Sequence, residues 1–574
     1  MTLFRIFLAV PALISLAACQ SGVAEAPVIA ATTPMIPGVV SAADPRAAEA
    51  GAEILRQGGS ATDAAIATML ALTVVEPQSS GIGGGGFFVR SENHADGAQI
   101  VTLDGRETAP SQAGPDWFLD TNGEPLRYRD AVISGRSVGV PGNIALAAEA
   151  HRRYGRLEWA QLFAPAIRLA SEGWELSPRS ASFLDRSRGR ADFQEEGRAL
   201  FYDADGEPLP AGTWLTNRTL AGTLENIAEH GPDYFYDTIA EDLAAHVSAN
   251  TPGDAGMITA DVTSYEAMER DALCGTYREF RICSMGPPSS GATTVLSILG
   301  QLERFDMAAM GPESPVAWHL FAESQRLVYA DRELYLADSD FVSVPARGLV
   351  DPDYLAMRSQ LISPDSRIDE PQAGVPDGVV HAFADGDEPV ENGTSHFAVV
   401  DSAGNVVSWT STIEGAFGSG LMFGGFYLNN ELTDFSFRPE RDGAPVANRV
   451  EGGKRPRSSM SPTIVFDIDG NPVLAIGAAG GSTIPVQVAK ALMGYLDWGM
   501  TAQEAIALPM LYSPGDTIAI EEDNAVPGLQ EALEAMGHNV RTTSLPLKAN
   551  AVEWVGDHWI GAADPRSEGT SVTQ

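Results

Sequence analysis

The segment VENGTSHFAVVDSAGNVVSWTSTI, residues 390–413, holds two β-branched and aromatic runs, TSHFAVVD and NVVSWTSTI, separated by a short turn. Such runs, broken by Gly and Asn, read as a β-hairpin. Asn392-Gly393 is a common turn signal, and Asn392-Gly393-Thr394 also spells a glycosylation sequon. The chemistry of the junction is more specific. A threonine hydroxyl is a poor nucleophile alone and becomes effective when the α-amine of the same residue is free to act as its base. Thr394 gains that amine only if the bond after Gly393 breaks. Gly393, lacking Cβ, allows a strained turn that brings the Thr394 hydroxyl against the Gly393 carbonyl.

Outward from this hairpin lies a second, SPTIVFDIDGNPVLAIGAAGG (461–481), followed by a helical stretch, STIPVQVAKALMGYLDWG (482–499). Two hairpins and a covering helix make layered sheets with helices outside, an α/β or α+β arrangement. Upstream, DPRAAEAGAEILRQGG (44–59) has helical periodicity and stops at Gly58-Gly59. Ser60 then caps a second helix, with Asp63 three residues on, and DAAIATMLALTVVE is apolar nearly all round and therefore buried. Gly81-x-Gly83-x-x-Gly86 spells the dinucleotide fingerprint, but that motif needs a strand before it and a helix after it. Here the order is reversed, so a tight turn into a strand over 87–90 is expected. Residues 115–370 alternate helical stretches with polar loops and show no internal repeat.

The chain has 574 residues, 44% hydrophobic and 20% charged, with a net charge of −39. That charge repels phosphate backbones and argues against a nucleic-acid partner; a solvated acidic surface accounts for it. The first residues, MTLFRIFLAVPALISLAACQ, read as an export signal over 1–18, with one positive charge at Arg5 and an apolar run too short to span a bilayer. Leu16-Ala17-Ala18-Cys19 resembles the bacterial lipobox, so Cys19 is the expected lipidation site, facing the periplasm or the outer membrane, with a tether over 19–37. Cys274 and Cys283 flank GTYREFRI in an expected hairpin. An exported protein oxidises such a pair if the strands bring the Cα atoms within about 7 Å. No His falls in a zinc-ligand spacing, and neither cysteine joins a second CxxC, so no metal is expected.

Two other nucleophile readings compete with Thr394. Gly135-Arg136-Ser137-Val138-Gly139 fits the G-x-S-x-G elbow, but Val140-Pro141-Gly142 follows where the elbow's helix should begin, so a Gly-rich turn competes. A His-based zinc site lacks its motif. Thr394 is favoured by Gly480-Gly481, which ends a strand and opens a helix, so its backbone N–H groups suit an oxyanion, as acyl transfer requires.

The stretches AAEAGAEILRQGGSATDAAIATMLALTVVEPQSSGIGGGGF, LDGRETAP, MGPPSSGATT, GTSHFAVVD, YLNNELTDFS, KRPRSSMSPTIV, GAAGGS and GAADPRS occur in this order. In them the chain resembles the γ-glutamyltranspeptidases (glutathione hydrolases), from about Gly38 to the C-terminus. The resemblance implies an α+β N-terminal nucleophile hydrolase fold, a four-layer αββα sandwich made as a precursor that cuts itself between Gly393 and Thr394. The subunits would be 38–393 and 394–574, forming a heterodimer. By the same resemblance Thr394 is the nucleophile, Thr412 orients it, and Gly480 and Gly481 form the oxyanion hole. Arg106, helped by Ser458 and Ser459, grips the substrate α-carboxylate, for which a planar guanidinium suits better than Lys. Asp434 binds the substrate ammonium, and Glu431 stands where the family has Gln or Glu. His396, two positions after Thr394 on the strand, is expected to be structural. No cofactor is implied, and the partners are a γ-glutamyl donor and a water, amino acid or peptide acceptor.

Two departures stand out. Glu414 occupies the position of a substrate-contacting Asn, adding a third carboxylate beside Glu431 and Asp434. The segment FSFRPERDGAPVANRVEGGKRPR between Asp434 and Ser458 is shorter than a full family lid and contains no Tyr. A glutaryl acylase of the same fold would leave the ammonium-binding carboxylates without purpose, whereas an uncut γ-glutamyl-peptide-binding lipoprotein would keep them for binding alone.

Overall fold

The two N-terminal helices form as their sequences dictate. Pro45–Arg56 starts after Asp44, whose Oδ1 accepts the Arg46 amide at 2.8 Å. Ala61–Val75 opens with a reciprocal capping box: Ser60 Oγ accepts the Asp63 amide at 3.1 Å, and Asp63 Oδ2 accepts the Ser60 amide at 2.8 Å. Every residue of that helix is buried, as its apolar circumference requires. The structure, a computed structural model, describes residues 36–92, 98–253, 255–386, 393–522 and 526–574, and Ile36–Gln574 is one compact unit. The expected signal, Cys19, most of the tether and Asn392 lie outside the described residues. No helix among them is long and apolar enough to cross a membrane.

Two antiparallel sheets make the centre. The first runs Thr570–Thr573, Val39–Ala42, Ser395–Val400, Val406–Thr412, Gly85–Glu92, Gln99–Gly105, Met268–Arg270. The second runs Trp559–Ala563, Lys548–Trp554, Pro472–Ala479, Thr463–Phe466, Phe280–Met285, Ala272–Tyr277. Side-chain alternation along Ser395–Val400 explains the layering. Phe397 and Val399 pack with the helices Pro45–Arg56 and Ala61–Val75. Ala398 and Val400 join the core that holds the second sheet and the helices Gly291–Leu302, Pro315–Tyr335 and Ile484–Leu496. Helices therefore cover the outer face of each sheet and the sheets face each other, the four-layer αββα sandwich of an α+β fold.

The glycine-rich turn at 81–86 serves close packing. A Cβ on Gly83 would lie 2.1 Å from the Tyr427 carbonyl, and one on Gly84 would lie 1.9 Å from the Thr412 carbonyl. Only glycine lets these chains pass so near. Cys274 and Cys283 face each other across their hairpin with Cα atoms 4.1 Å apart and are joined as a disulfide.

Candidate active site

Strand register brings two threonines level. Ser411 pairs with Ser395, so Thr394 and Thr412 stand side by side at the sheet's end, and their Oγ1 atoms are 3.4 Å apart. Thr412 Oγ1 accepts both from the Thr394 hydroxyl and, at 2.7 Å, from the Glu414 amide, which holds it in place beside Thr394. Thr394 has φ 136°, a conformation that costs a β-branched residue on the order of 1–3 kcal/mol. Glu414 is also left-handed, at φ 68°, and its carbonyl lies over Gly393, where a Cβ would come within 1.4 Å of it. The Gly393–Thr394 bond is thus held under a turn that admits no side chain before the threonine.

Arg106 emerges from the end of strand Gln99–Gly105, fully buried, with its carbonyl accepting the Tyr265 hydroxyl at 2.7 Å. Its guanidinium donates to Glu431 and Asp434, which lie in the short turn Glu431–Asp434, and to the Arg457 carbonyl at 3.0 Å. Burial disfavours its charge, but Glu431, Asp434 and Glu107 outweigh burial and hold it protonated. Among the described residues, neither oxygen of the buried Glu107 nor Glu431 Oε2 has a hydrogen-bond donor, although the Arg106 guanidinium lies 3.9 Å from Glu107 Oε2. Burial pushes the Glu107 carboxyl up to about 7 despite the adjacent Arg106. Burial, with Glu107 and Glu414 nearby, likewise pushes Glu431 well above the usual carboxylate range. Burial thus biases both carboxyls toward their neutral forms, with Arg106 opposing that bias at each.

A cavity of only about 10 Å³ remains, lined by Arg106, Gly393, Thr394, Thr412, Glu414, Glu431, Asp434, Ser458, Met460, Gly481 and Ile484. The structure thus gathers most of the expected site residues. Gly481 and Ile484 bring the amino end of helix Ile484–Leu496 to the cavity, a natural place for an oxyanion. Gly480, at φ 127°, sits one residue back, and a Cβ there would lie 2.4 Å from the Pro546 carbonyl. Ser458 lines the cavity, whereas the Ser459 hydroxyl accepts from Arg332 at 2.7 Å and is turned away. The segment with no Tyr forms a small hairpin, Glu440–Arg441 with Ala444–Pro445, that does not line the cavity.

The other candidates separate from the site. Ser137 lies in a short turn after helix Tyr128–Val132, and its buried hydroxyl donates to the Val132 and Ser134 carbonyls, so it forms no nucleophile elbow. His396 Nδ1 meets Thr410 Oγ1 at 2.9 Å, and burial drives its pKa down to about 3, leaving a neutral ring. A hollow of about 760 Å³ beside Trp159 and Tyr236 shares no residue with the cavity. Sequence reasoning missed Tyr128, whose hydroxyl meets Glu414 Oε2 at 3.4 Å, and Asn430, which donates to the same oxygen. Asn430 was visible within YLNNELTDFS, whereas nothing local marks Tyr128.

The sequence model of the gamma-glutamyltranspeptidase family matches residues 47–573. The glutathione hydrolase proenzyme of Bacillus subtilis is 36% identical over 553 residues, covering 93% of this chain and 91% of that protein. The acylase ACY 1 proenzyme of a Pseudomonas strain is 33% identical over 547 residues, covering 93% of each. Among solved structures, the cephalosporin acylase from Bacillus halodurans superposes with a TM-score of 0.80 at 24% identity, over 94% of this chain and 96% of that one, a likeness of fold. With a family match over nearly its whole length and a relative this close along most of it, the chain belongs to the γ-glutamyltranspeptidase family.

Proposed function

We propose that the chain is a self-processing γ-glutamyltransferase and glutathione hydrolase whose nucleophile is Thr394. The observation that carries this reading is the strained Thr394, with its hydroxyl beside Thr412 and a side-chain-free Gly393 before it. In the precursor, Thr394 Oγ1 attacks the Gly393 carbonyl and the acyl group moves from nitrogen to oxygen. Water then hydrolyses the ester, giving a large subunit, 38–393, that ends at Gly393, and a small subunit, 394–574, that begins with a free Thr394 amine. The amine takes the hydroxyl proton when Thr394 attacks a γ-glutamyl amide and returns it to the leaving amine. The γ-glutamyl ester then passes to water or to an acceptor amine.

Arg106 and Ser458 hold the donor's α-carboxylate, while Asp434, Glu431 and Glu414 attract its α-ammonium. Gly481, with Gly480 behind it, stabilises the oxyanion at the amino end of the following helix. The precursor is exported by residues 1–18, lipidated at Cys19 and tethered by 19–37. Purified protein should run as two bands on a denaturing gel, the smaller beginning Thr-Ser-His-Phe, and should hydrolyse a γ-glutamyl anilide. An uncut, inactive chain refutes the proposal.

The acylase relative supports a second reading, a glutaryl acylase. Glutaryl and γ-glutamyl anilides differ by the α-ammonium alone, so the preferred substrate separates the two. Buried Glu431 and Asp434 favour the γ-glutamyl compound.

A further inference from the structure

A second buried charge cluster lies directly behind the nucleophile. Ser395 Oγ donates to Glu76 Oε2 at 2.5 Å, and Lys548 Nζ donates to the same oxygen at 2.8 Å and to Ser395 Oγ at 3.2 Å. None of the three is more than 2% exposed. They come from the C-terminal cap of helix Ala61–Val75, the first residue of the nucleophile strand and the first residue of strand Lys548–Trp554. Stability does not explain the cluster. A carboxylate at a helix C-terminus opposes the helix dipole, and a buried ion pair is often no better than apolar packing.

Its charges do bear on Thr394. Burial opposes ionisation of Glu76, but Lys548 and Arg179 outweigh it and hold the carboxyl below its usual range. Arg179 acts on both members of the pair, and Asp44 is the next charge felt by Lys548. Burial opposes the charge on Lys548 and Glu76 supports it, so removing either member of the pair changes the field behind the first peptide of the strand. On the cavity side the same residue faces Glu414, Glu431 and Asp434, with Arg106 the one cation among the lining residues and Glu107 behind it. His396, on the same strand, contributes no charge. A freed α-amine, which ordinarily titrates at about 7.7–8.0, would be drawn toward its protonated form by ionised Glu414 and Asp434 and so be weakened as a base.

We propose that Lys548, clamped by Glu76 against Ser395, is a positioning residue that fixes the strand behind Thr394 and opposes protonation of its freed amine. This rests on Thr394 being the liberated nucleophile. The test is the pH dependence of kcat/KM for a γ-glutamyl anilide, measured on the cut fraction of wild type, Lys548→Met and Glu76→Gln. Removing the cation moves the acid limb to higher pH by about one unit, and removing the anion moves it to lower pH by a similar amount. A merely structural cluster would lower both rates without displacing the limbs in opposite directions. If Lys548→Met fails to fold, the Glu76→Gln limb decides alone. Wild type that is cut at Thr394 and active, with variants whose limbs stay in place or move together, overturns this inference only. Wild type that is not cut there overturns the nucleophile assignment itself.

Discussion

Replacing Gly393 with alanine tests how the scissile bond sits beneath the Glu414 turn. The new Cβ would start 1.4 Å from the Glu414 carbonyl oxygen, where real Cβ atoms essentially never come under 3.0 Å, so the two chains must part by roughly 1.6 Å. Glu414 donates its amide to Thr412 Oγ1, which in turn stands against Thr394 Oγ1, so the displacement reaches both reacting groups. A misplacement of about 1 Å costs roughly 10²-fold in a positioned reaction. The alanyl carbonyl is as electrophilic as the glycyl one, so the whole loss comes from geometry. Purified Gly393→Ala precursor should be cut at least about 10²-fold more slowly than wild type, followed over time on a denaturing gel. Whatever fraction is cut should have the wild-type kcat/KM, because residue 393 is then a free chain end. Cleavage of the variant at the wild-type rate would refute the idea that this contact aligns the bond.

Thr394→Ala should fold, remain a single chain and show no γ-glutamyl anilide hydrolysis, read by gel and by absorbance. Arg106→Lys loses the planar fork that a carboxylate needs, so kcat/KM should fall by about 10–100-fold, mostly through KM, in steady-state assays. The raised carboxyl of Glu107 gives a stability signature. Between its ordinary value of 4.5 and its folded value of about 7, the folded state binds more protons than the unfolded one, so stability falls as pH rises through that window. Glu107→Gln should shrink that fall in urea titrations taken across the window. Replacing Cys274 and Cys283 together with Ser opens a short loop and should lower stability by about 1–3 kcal/mol, seen as a reduced thermal midpoint.

The parts of this molecule legible in its sequence are those that local rules fix. The capping box at Ser60, the buried helix after it, the reversed glycine motif and both hairpins follow from propensity, periodicity and turn chemistry. Thr394 stood out because its chemistry needs a broken bond, and the resemblance to a known family supplied Arg106, Glu431 and Asp434. What stayed hidden depends on distant chain segments meeting. Glu76 and Lys548 are 472 positions apart, and Tyr128 reaches Glu414 across 286, so no window of sequence contains either pair. Side-chain direction was equally invisible: Ser458 and Ser459 are neighbours, yet one faces the cavity and the other Arg332.

If the chain is cut between Gly393 and Thr394 as proposed, the contact between Gly393 and the Glu414 carbonyl gives that step a meaning beyond chemistry. Glu414 reaches that position only when the hairpin is paired in register and the glycine turn at 81–86 lets the Thr412 end of the strand close on it. The proposed cut would therefore record that sheet and turn have been assembled. A molecule that missed either step would stay whole and inert. On that proposal the precursor carries its own proofreading: the amine would be released only to copies that had passed inspection by their own tertiary structure.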